Sequence, residues 1–212
     1  MPATTDPHLP PSTDELKLVE VSANFLAEIA DLTPGKSLEA KLNREYGPSS
    51  EMYQQVEILS PLCWNFEFTC AVQQLAELAL RGLRDGWLAN QEITGPNYRR
   101  SRLRAPSEEQ HWLSITAVYM ESESEQVFAG QYHAHPYGEI NCSIPVPGTG
   151  PSPELEGMDG FWVGSGWTCP GPGSHHYPRV RGGGLIALFF LPAGRISYNV
   201  KPEMPQLSIQ EL

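Results

Sequence analysis

The 212-residue chain is poor in basic side chains. It has 14 Lys and Arg against 25 Asp and Glu, which gives a formal net charge of -11. Because a protein that grips the nucleic-acid backbone needs a basic face, this balance argues against a nucleic-acid partner. Long apolar runs are also missing. The longest, 185–191, is far shorter than the roughly 20 residues that cross a bilayer, so no membrane partner is predicted.

Cysteine is scarce as well. The four cysteines, Cys63, Cys70, Cys142 and Cys169, include no C-x-x-C pair. This low density does not suit a disulfide scaffold, and we interpret them as free, mostly buried thiols. The first residues show no cationic segment followed by an apolar one, as a secretory signal would. A cytoplasmic location is therefore expected.

The first 95 residues carry helical patterns. Residues 1–12 are rich in Pro, Thr and Ser and are predicted to form a flexible tail. Ser12-x-x-Glu15 reads as a capping box, and the helix that it starts is predicted to end before Pro34. Further helices are predicted at 37–46, 50–59 and 70–88. We expect residues 13–95 to form a helical layer packed on the rest of the chain.

From residue 112 onward the pattern becomes that of strands. The predicted strands are 113–120, 139–146, 161–168, 184–192 and 195–200. Short strands between Gly and Pro turns indicate a β-sandwich or barrel, with 147–160 as a long loop. The expected fold is mainly β with an α-helical N-terminal layer, and residues 96–212 form the barrel.

The segment 98–104 is the basic exception, since it holds four arginines in seven positions. A solvated loop would account for it. An anion clamp would account for it equally, because a guanidinium group matches a carboxylate with two hydrogen bonds. The sequence leaves both explanations open.

The segment 130–148 carries the clearest chemical pattern, H-x-H-x3-E, formed by His133, His135 and Glu139. On an extended strand, residues at even separations share one face. Two imidazoles and one carboxylate on one face predict a metal site. A further source of imidazole lies downstream, at His175 and His176.

These segments resemble the two sequence motifs of the cupin superfamily. Gly130-x2-His133-x-His135-x3-Glu139-x8-Gly148 is similar to the first motif, and Gly173-x2-His176 is similar to the second. The resemblance implies a cupin-like double-stranded β-helix, which is a jelly-roll barrel. It also implies the ligands His133, His135, Glu139 and His176.

Two questions about the metal centre stay open on sequence grounds. Either His175 or His176 could be the fourth ligand. Adjacent residues on a strand point to opposite faces, so only one of the two can face the metal site. Three imidazoles and a carboxylate suit one divalent transition metal ion without choosing among Fe, Mn, Ni, Co and Zn.

A narrower resemblance is to the bacterial 4-hydroxylaminobenzoate lyase family, and it lies in 130–146, 166–183 and 188–198. It implies release of ammonia from 4-hydroxylaminobenzoate to leave 3,4-dihydroxybenzoate, which would make the chain a metal-dependent carbon–nitrogen lyase of aromatic catabolism. The residues expected to hold the aromatic carboxylate are Arg99, Arg102, Trp162, Trp167 and Arg179. The residues expected to move protons are Tyr132, Tyr137 and His175.

Two other functions are compatible with the same residues. One is an Fe(II)-dependent dioxygenase, and the other is a non-catalytic cupin that binds a metal or a small ligand, because one fold hosts many activities. A homodimer is expected, because proteins of the cupin superfamily commonly form dimers.

Overall fold

The computed structural model describes residues 10–50, 71–123 and 126–206. Its helices are α1 (Thr13–Ile29), α2 (Lys36–Tyr46) and α3 (Ala71–Arg84), with a short 3-10 helix at Glu108–Gln110. The helix predicted at 50–59 lies outside these residues except for its first position, as do Cys63 and Cys70. None of the described helices is long and apolar enough to cross a membrane.

The first helix begins as its sequence predicts. The Ser12 hydroxyl accepts a hydrogen bond from the Glu15 backbone N–H at 3.1 Å, which satisfies one of the free amides of the first turn. Leu18, Phe25 and Ile29 then recur on one face and are buried. The amphipathic stripe, rather than helix propensity, holds this helix on the rest of the molecule.

The remainder of the described chain is mainly β, and all of its strand pairs are antiparallel. The strands are β1 (Gln91–Glu92), β2 (Tyr98–Arg104), β3 (Leu113–Glu121), β4 (Val127–Ala129), β5 (His133–Ala134), β6 (Ile140–Pro145), β7 (Glu154–Glu156), β8 (Trp162–Val163), β9 (Gly166–Thr168), β10 (His175–His176), β11 (Arg179–Arg181) and β12 (Gly184–Pro192). They form a six-stranded sheet in the order β1-β2-β3-β12-β6-β9, a four-stranded sheet in the order β4-β11-β7-β8, and the pair β10-β5.

One face of the six-stranded sheet, the helix-side face, packs on the three helices. Alternate residues of β6, namely Ile140, Cys142 and Ile144, join one buried cluster with side chains from all three helices. Trp167 of β9 is fully buried there, and its ring stacks on Phe25 with the centroids 4.8 Å apart. This apolar layer is the larger of the two cores.

Helix α2 also closes the free edge of β9. The side-chain amide of Asn43 donates to the Trp167 carbonyl and accepts from the Trp167 N–H, both at 2.9 Å, as a neighbouring strand would. The Glu39 carboxylate accepts from the Cys169 N–H at 2.8 Å. Because an unpaired edge invites association with other strands, these contacts protect it.

The other face of the six-stranded sheet, the cavity face, looks toward the four-stranded sheet. A smaller core joins Val118, Leu185 and Phe189 of the large sheet to Leu155 and Val180 of the small one. Two sheets with a core between them place a cavity inside the β region, and this cavity contains the candidate site.

The segment 98–104, for which the sequence left a solvated loop and an anion clamp open, is strand β2. Two predictions about elements are wrong. Residues 195–200 form no strand, although the bridge between Ser197 and Ala134 and the contact of the Tyr198 ring with His133 connect them to the pair β10-β5. The loop predicted at 147–160 contains the short strand β7. The division at residue 95 stays a prediction.

Candidate metal centre

A tight turn, rather than a single strand, brings His133, His135 and Glu139 together. Strand β5 ends at Ala134, and the Gly138 N–H donates to the His135 carbonyl at 3.2 Å across Pro136 and Tyr137. Proline is favoured at the second position of such a turn. Gly138 has φ of +82°, and a Cβ there would lie 2.6 Å from the Pro34 Cβ, so glycine is required. The chain then returns with Glu139 just before β6.

The fourth member of the group comes from β10, which pairs antiparallel with β5. His176 lies directly opposite His133, and His175 lies opposite Ala134. Residues directly opposite in an antiparallel pair point to the same face. Since His133 faces inward, His176 does too, and His175 faces the other way.

The four side chains His133, His135, Glu139 and His176 form a close, largely buried cluster. One ligand-type atom from each lies within 4.8 Å of all the others. The His133 Nδ1–H donates to the Gln131 carbonyl at 2.7 Å, which leaves Nε2 with its lone pair free. Among the described residues, no hydrogen-bond partner reaches either ring nitrogen of His135, the Nε2 of His176 or the Oε1 of Glu139.

Burial sets the charge of these groups. It lowers the pKa of His133, lowers that of His135 well below the usual value, and lowers that of His176 to about 3. It raises the pKa of Glu139 to about 8, and Asn141 opposes this by hydrogen bonding. The 3.4 Å contact between His135 Nδ1 and a Glu139 oxygen is therefore not an ion pair, because that imidazole is neutral.

This donor set fits a divalent transition metal ion. Neutral imidazoles and one carboxylate are the ligands that such ions take, and the ion would satisfy buried lone pairs that have no described partner. A cation would also supply the positive charge that the buried Glu139 carboxylate lacks. The cluster is thus able to bind a metal, and its residues do not choose which one.

A cavity of about 390 Å³ opens from this cluster. Its lining residues are Gln91, Ile93, Tyr98, Arg100, Arg102, Thr116, Val118, Met120, His133, Glu139, Pro178, Phe189, Leu191, Ile196 and Tyr198. The volume lies at the lower end of the range of about 300–1,000 Å³ that is typical of small-molecule sites. Arg102 is the one predicted substrate-binding residue that the structure brings to this cavity.

His175 and Tyr132 meet on the outer side of the pair β10-β5. The Tyr132 hydroxyl hydrogen-bonds His175 Nδ1, and the two rings meet edge to face. Pro205 and Gln206, which we call the C-terminal strap, contact the same histidine. The His175 N–H donates to Gln206 Oε1 at 3.0 Å, Gln206 Nε2 donates to the His175 carbonyl at 2.6 Å, and His175 Nε2 donates to the Pro205 carbonyl at 3.2 Å.

Tyr137, the remaining predicted proton carrier, points to a different depression. Its ring is exposed and lines a second cavity of about 270 Å³ beside Trp112 and Pro34. It therefore does not join the histidine and glutamate cluster.

Four predicted substrate-binding residues also lie away from the cluster's cavity. Arg99 stacks on Tyr119 at 4.6 Å, on the helix-side face of the sheet. Arg179 pairs with Glu156 at 3.1 Å on the exposed side of β11. Trp162 lies under Arg181 at 4.3 Å, and Trp167 is in the helix-side core.

The cavity also has polar side chains that sequence reasoning missed, and the largest of them are Tyr98, Arg100 and Tyr198. Tyr98 is buried, which raises its pKa to about 12, and its hydroxyl lies close to Gly130, where an added Cβ would approach it to 2.9 Å. The Tyr198 ring meets the His133 ring at 6.0 Å. The alternation in 98–102 would have identified the first two if the segment had been interpreted as a strand.

Comparison with solved structures finds a similarity to KdgF from Halomonas sp. The identity is 18%, the match covers 48% of this chain and 84% of that chain, and the TM-score is 0.29.

The sequence comparisons cover most of the chain. A curated 4-hydroxylaminobenzoate lyase from Nocardioides sp. (strain LMS-CY) is 49% identical over 185 residues, which are 87% of this chain and 95% of that protein. A protein of the same name from Pseudomonas putida is 44% identical over 193 residues, which are 88% of this chain and 97% of that protein. The family model described as PnbB, 4-hydroxylaminobenzoate lyase, matches residues 20–63 and 60–198. The chain therefore belongs to the 4-hydroxylaminobenzoate lyase family.

Proposed function

We propose that this chain is a metal-dependent lyase that converts 4-hydroxylaminobenzoate and water into 3,4-dihydroxybenzoate and ammonia. The two curated relatives carry this enzyme name and match nearly their whole length. The observation that carries the proposal for this chain is the buried cluster of three histidines and a glutamate at the wall of a cavity of about 390 Å³. A cavity of that size suits a single-ring substrate.

In this proposal His133, His135, Glu139 and His176 hold one divalent ion of Fe, Mn, Ni, Co or Zn. When bound, the ion supplies Lewis-acid chemistry at a polar atom of the substrate. The Gln131 carbonyl fixes the tautomer of His133, so that Nε2 is the atom that would hold the ion. The turn at Gly138 fixes the spacing between His135 and Glu139.

We assign proton donation to Tyr98 rather than to Tyr132, Tyr137 or His175. Tyr98 lines the same cavity as His133 and Glu139, whereas the other three residues do not. With its pKa raised to about 12, the phenol keeps its proton at neutral pH and can donate it to the departing nitrogen. Its hydroxyl lies against Gly130, three residues before the proposed ligand His133.

The proposed architecture is a cupin-like jelly roll. Two antiparallel sheets that face each other across a buried core and a cavity support it. A homodimer and a cytoplasmic location stay predictions, and sedimentation of the purified protein tests the first of them.

The proposal is tested by turnover of 4-hydroxylaminobenzoate. The purified protein is stripped with a chelator and reloaded with each of the five metals in turn. The release of ammonia and of 3,4-dihydroxybenzoate is then measured, and equal amounts are expected. Metal content and activity should fall together in His135→Ala, while His111→Asn, which removes an imidazole outside the cluster, should keep both. Asparagine suits this position because it tolerates the positive φ of His111.

Two results would contradict the proposal. If no loaded form releases ammonia, but an iron-loaded form consumes oxygen with catechols or aminophenols, the chain is a dioxygenase. If the protein binds metal and ring compounds and converts none of them, it is a binding protein. Unchanged metal content in His135→Ala would contradict the assignment of the metal centre to this cluster.

A further inference from the structure

Most of the basic side chains in this acidic protein are paired. All fourteen lysines and arginines are among the described residues. Nine of them form an ion pair with a described acidic residue: Lys17, Lys36, Lys41, Arg44, Arg81, Arg84, Arg104, Arg179 and Arg181. Arg99 instead covers the Tyr119 ring. Arg100 and Arg102, in contrast, have no acidic partner in the described part of the chain, and both line the cavity.

The strand geometry explains why both arginines line the same cavity. They are two residues apart on β2, so their side chains leave the same face of the sheet. Their register partners on β3 are Val118 for Arg100 and Thr116 for Arg102, and both partners line the cavity. Arg99, between Tyr98 and Arg100, leaves the opposite face.

We infer that Arg100 and Arg102 form a docking site for the carboxylate of the substrate, with the reacting end of the ring directed to the cluster. This inference rests on the proposed function and names the residues that bind the carboxylate of its substrate, a single-ring aromatic monocarboxylate. Both arginines are exposed at their positions, whereas His133 and Glu139 are buried, so the cavity joins an open cationic part to a closed part with the cluster. The wall between includes apolar side chains such as Val118, Phe189 and Leu191, which suit a flat ring.

Electrostatics favours this orientation of the substrate. A carboxylate near two unpaired guanidinium groups gains charge-assisted hydrogen bonds. The protein as a whole, at a net charge of -11, repels an anion. The cationic part of the cavity is thus a local site of opposite sign, and it would attract and orient an anionic substrate.

The test separates binding from turnover. Calorimetry measures the binding of 4-hydroxybenzoate and of phenol, its neutral counterpart, to the wild type and to Arg100→Gln, Arg102→Gln, the double variant and Arg99→Gln. We expect each single cavity variant to weaken 4-hydroxybenzoate binding about tenfold, and the double variant about a hundredfold, with phenol binding unchanged. Arg99→Gln is the matched control, and it should bind as the wild type does. Raised salt should weaken carboxylate binding in the wild type more than in the double variant.

The kinetic arm uses 4-hydroxylaminobenzoate and N-phenylhydroxylamine, which lacks the carboxylate. The double variant should lose kcat/KM for the first substrate and keep it for the second. Equal binding of 4-hydroxybenzoate by the wild type and the double variant would overturn the inference. An equal loss in Arg99→Gln would also overturn it, because the effect would then be one of net charge. If carboxylate binding depends on the two arginines but no ammonia is released, the docking site stands and the proposed reaction fails.

Discussion

The two faces of the six-stranded sheet are made from the same strands, yet they differ in chemistry. On β6, Ile140, Cys142 and Ile144 enter the helix-side core, while Asn141 and Ser143 point to the cavity face. All five residues are buried. Burial alone therefore does not distinguish the two faces of β6, and what separates them is whether the buried side chains are apolar or polar.

This difference separates stability from activity. On the helix-side face, packing of apolar side chains stabilises the fold. On the cavity face, Asn141 Oδ1 and Ser143 Oγ have no hydrogen-bond partner among the described residues, as is also true of atoms in the cluster. Unpaired buried polar atoms destabilise a fold, and they persist where a ligand or water completes them. Variants on the two faces should therefore have opposite consequences.

The largest effect is expected from Glu139→Gln on the cavity side. The amide keeps the shape of the carboxyl group but removes the negative charge that a divalent ion needs. We expect bound metal and lyase activity to fall to the level of the chelator-treated protein, with a melting temperature at least that of the metal-free wild type. Elemental analysis and ammonia release measure the first two quantities. Full metal content in this variant would contradict the assignment of Glu139.

On the helix-side face, Trp167→Ala should lower the stability of the fold and leave metal binding unchanged. Removal of this fully buried ring, which stacks on Phe25, should lower the free energy of unfolding by about 3–5 kcal/mol. Metal content per folded molecule should stay at the wild-type level. Denaturant unfolding checks the first expectation. A variant with wild-type stability and a raised KM would instead restore Trp167 as a substrate-binding residue.

The pH dependence of the metal-free protein reports on the cluster itself. Burial raises the pKa of Glu139 from 4.5 to about 8, so its stabilising contribution is present below pH 4.5 and is lost as the pH rises through 8. Burial lowers the pKa of His176 from 6.5 to about 3, so its contribution is present above pH 6.5 and is lost as the pH falls through 3. These two effects cancel between pH 4.5 and 6.5, and the lowered pKa values of His133 and His135 add to the loss on the acid side. The stability of the metal-free protein should therefore be highest near pH 6.5 and fall by a few kcal/mol toward pH 3 and toward pH 8.

Thermal melts across this pH range, with chelator and with metal, provide the measurement. Bound metal should remove the alkaline loss, because the ionised carboxylate then has a positive partner. Glu139→Gln should remove the same loss without metal. An alkaline loss that persists in this variant would show that another group causes it.

The smallest effect is expected from Ser143→Ala on β6, for which the neighbouring Ile144 provides the comparison. Ser143→Ala removes a buried hydroxyl that has no described partner, so the free energy of unfolding should change by no more than about 0.5 kcal/mol. Ile144→Ala, on the opposite face, should lower it by about 2–5 kcal/mol. Equal losses at the two positions would mean that the faces do not differ as described.

The alternation in 139–146 predicted which residues share a face, because a strand has a period of two. That part of the fold is confirmed by β6. The sequence also predicted which four side chains would lie together, although the turn at Gly138, not one strand, brings Glu139 to His133 and His135. Turn geometry depends on the contact with Pro34, which local spacing does not reveal.

Other parts depend on pairing between distant segments and were beyond the sequence. The resemblance to the second motif already implied His176, but the reason that His176 rather than His175 faces the cluster is the register of β10 against β5. The sequence does not predict a strand at 98–104, because arginine is rarely buried. In the structure this segment is a strand, and its alternation places Arg100 and Arg102 at the cavity and Arg99 on the helix-side face. Trp167 is a predicted substrate-binding residue, but in the structure α2 and Phe25 cover it.

The C-terminal strap has a practical consequence for the design of shortened proteins. Pro205 and Gln206 hold His175, whose neighbour in the two-residue strand β10 is His176. A version trimmed before Pro205 would lack those hydrogen bonds although it retains every candidate ligand. Shortened variants for crystallisation that end before Pro205 would therefore contain less metal. A fusion partner is better placed at the N-terminus.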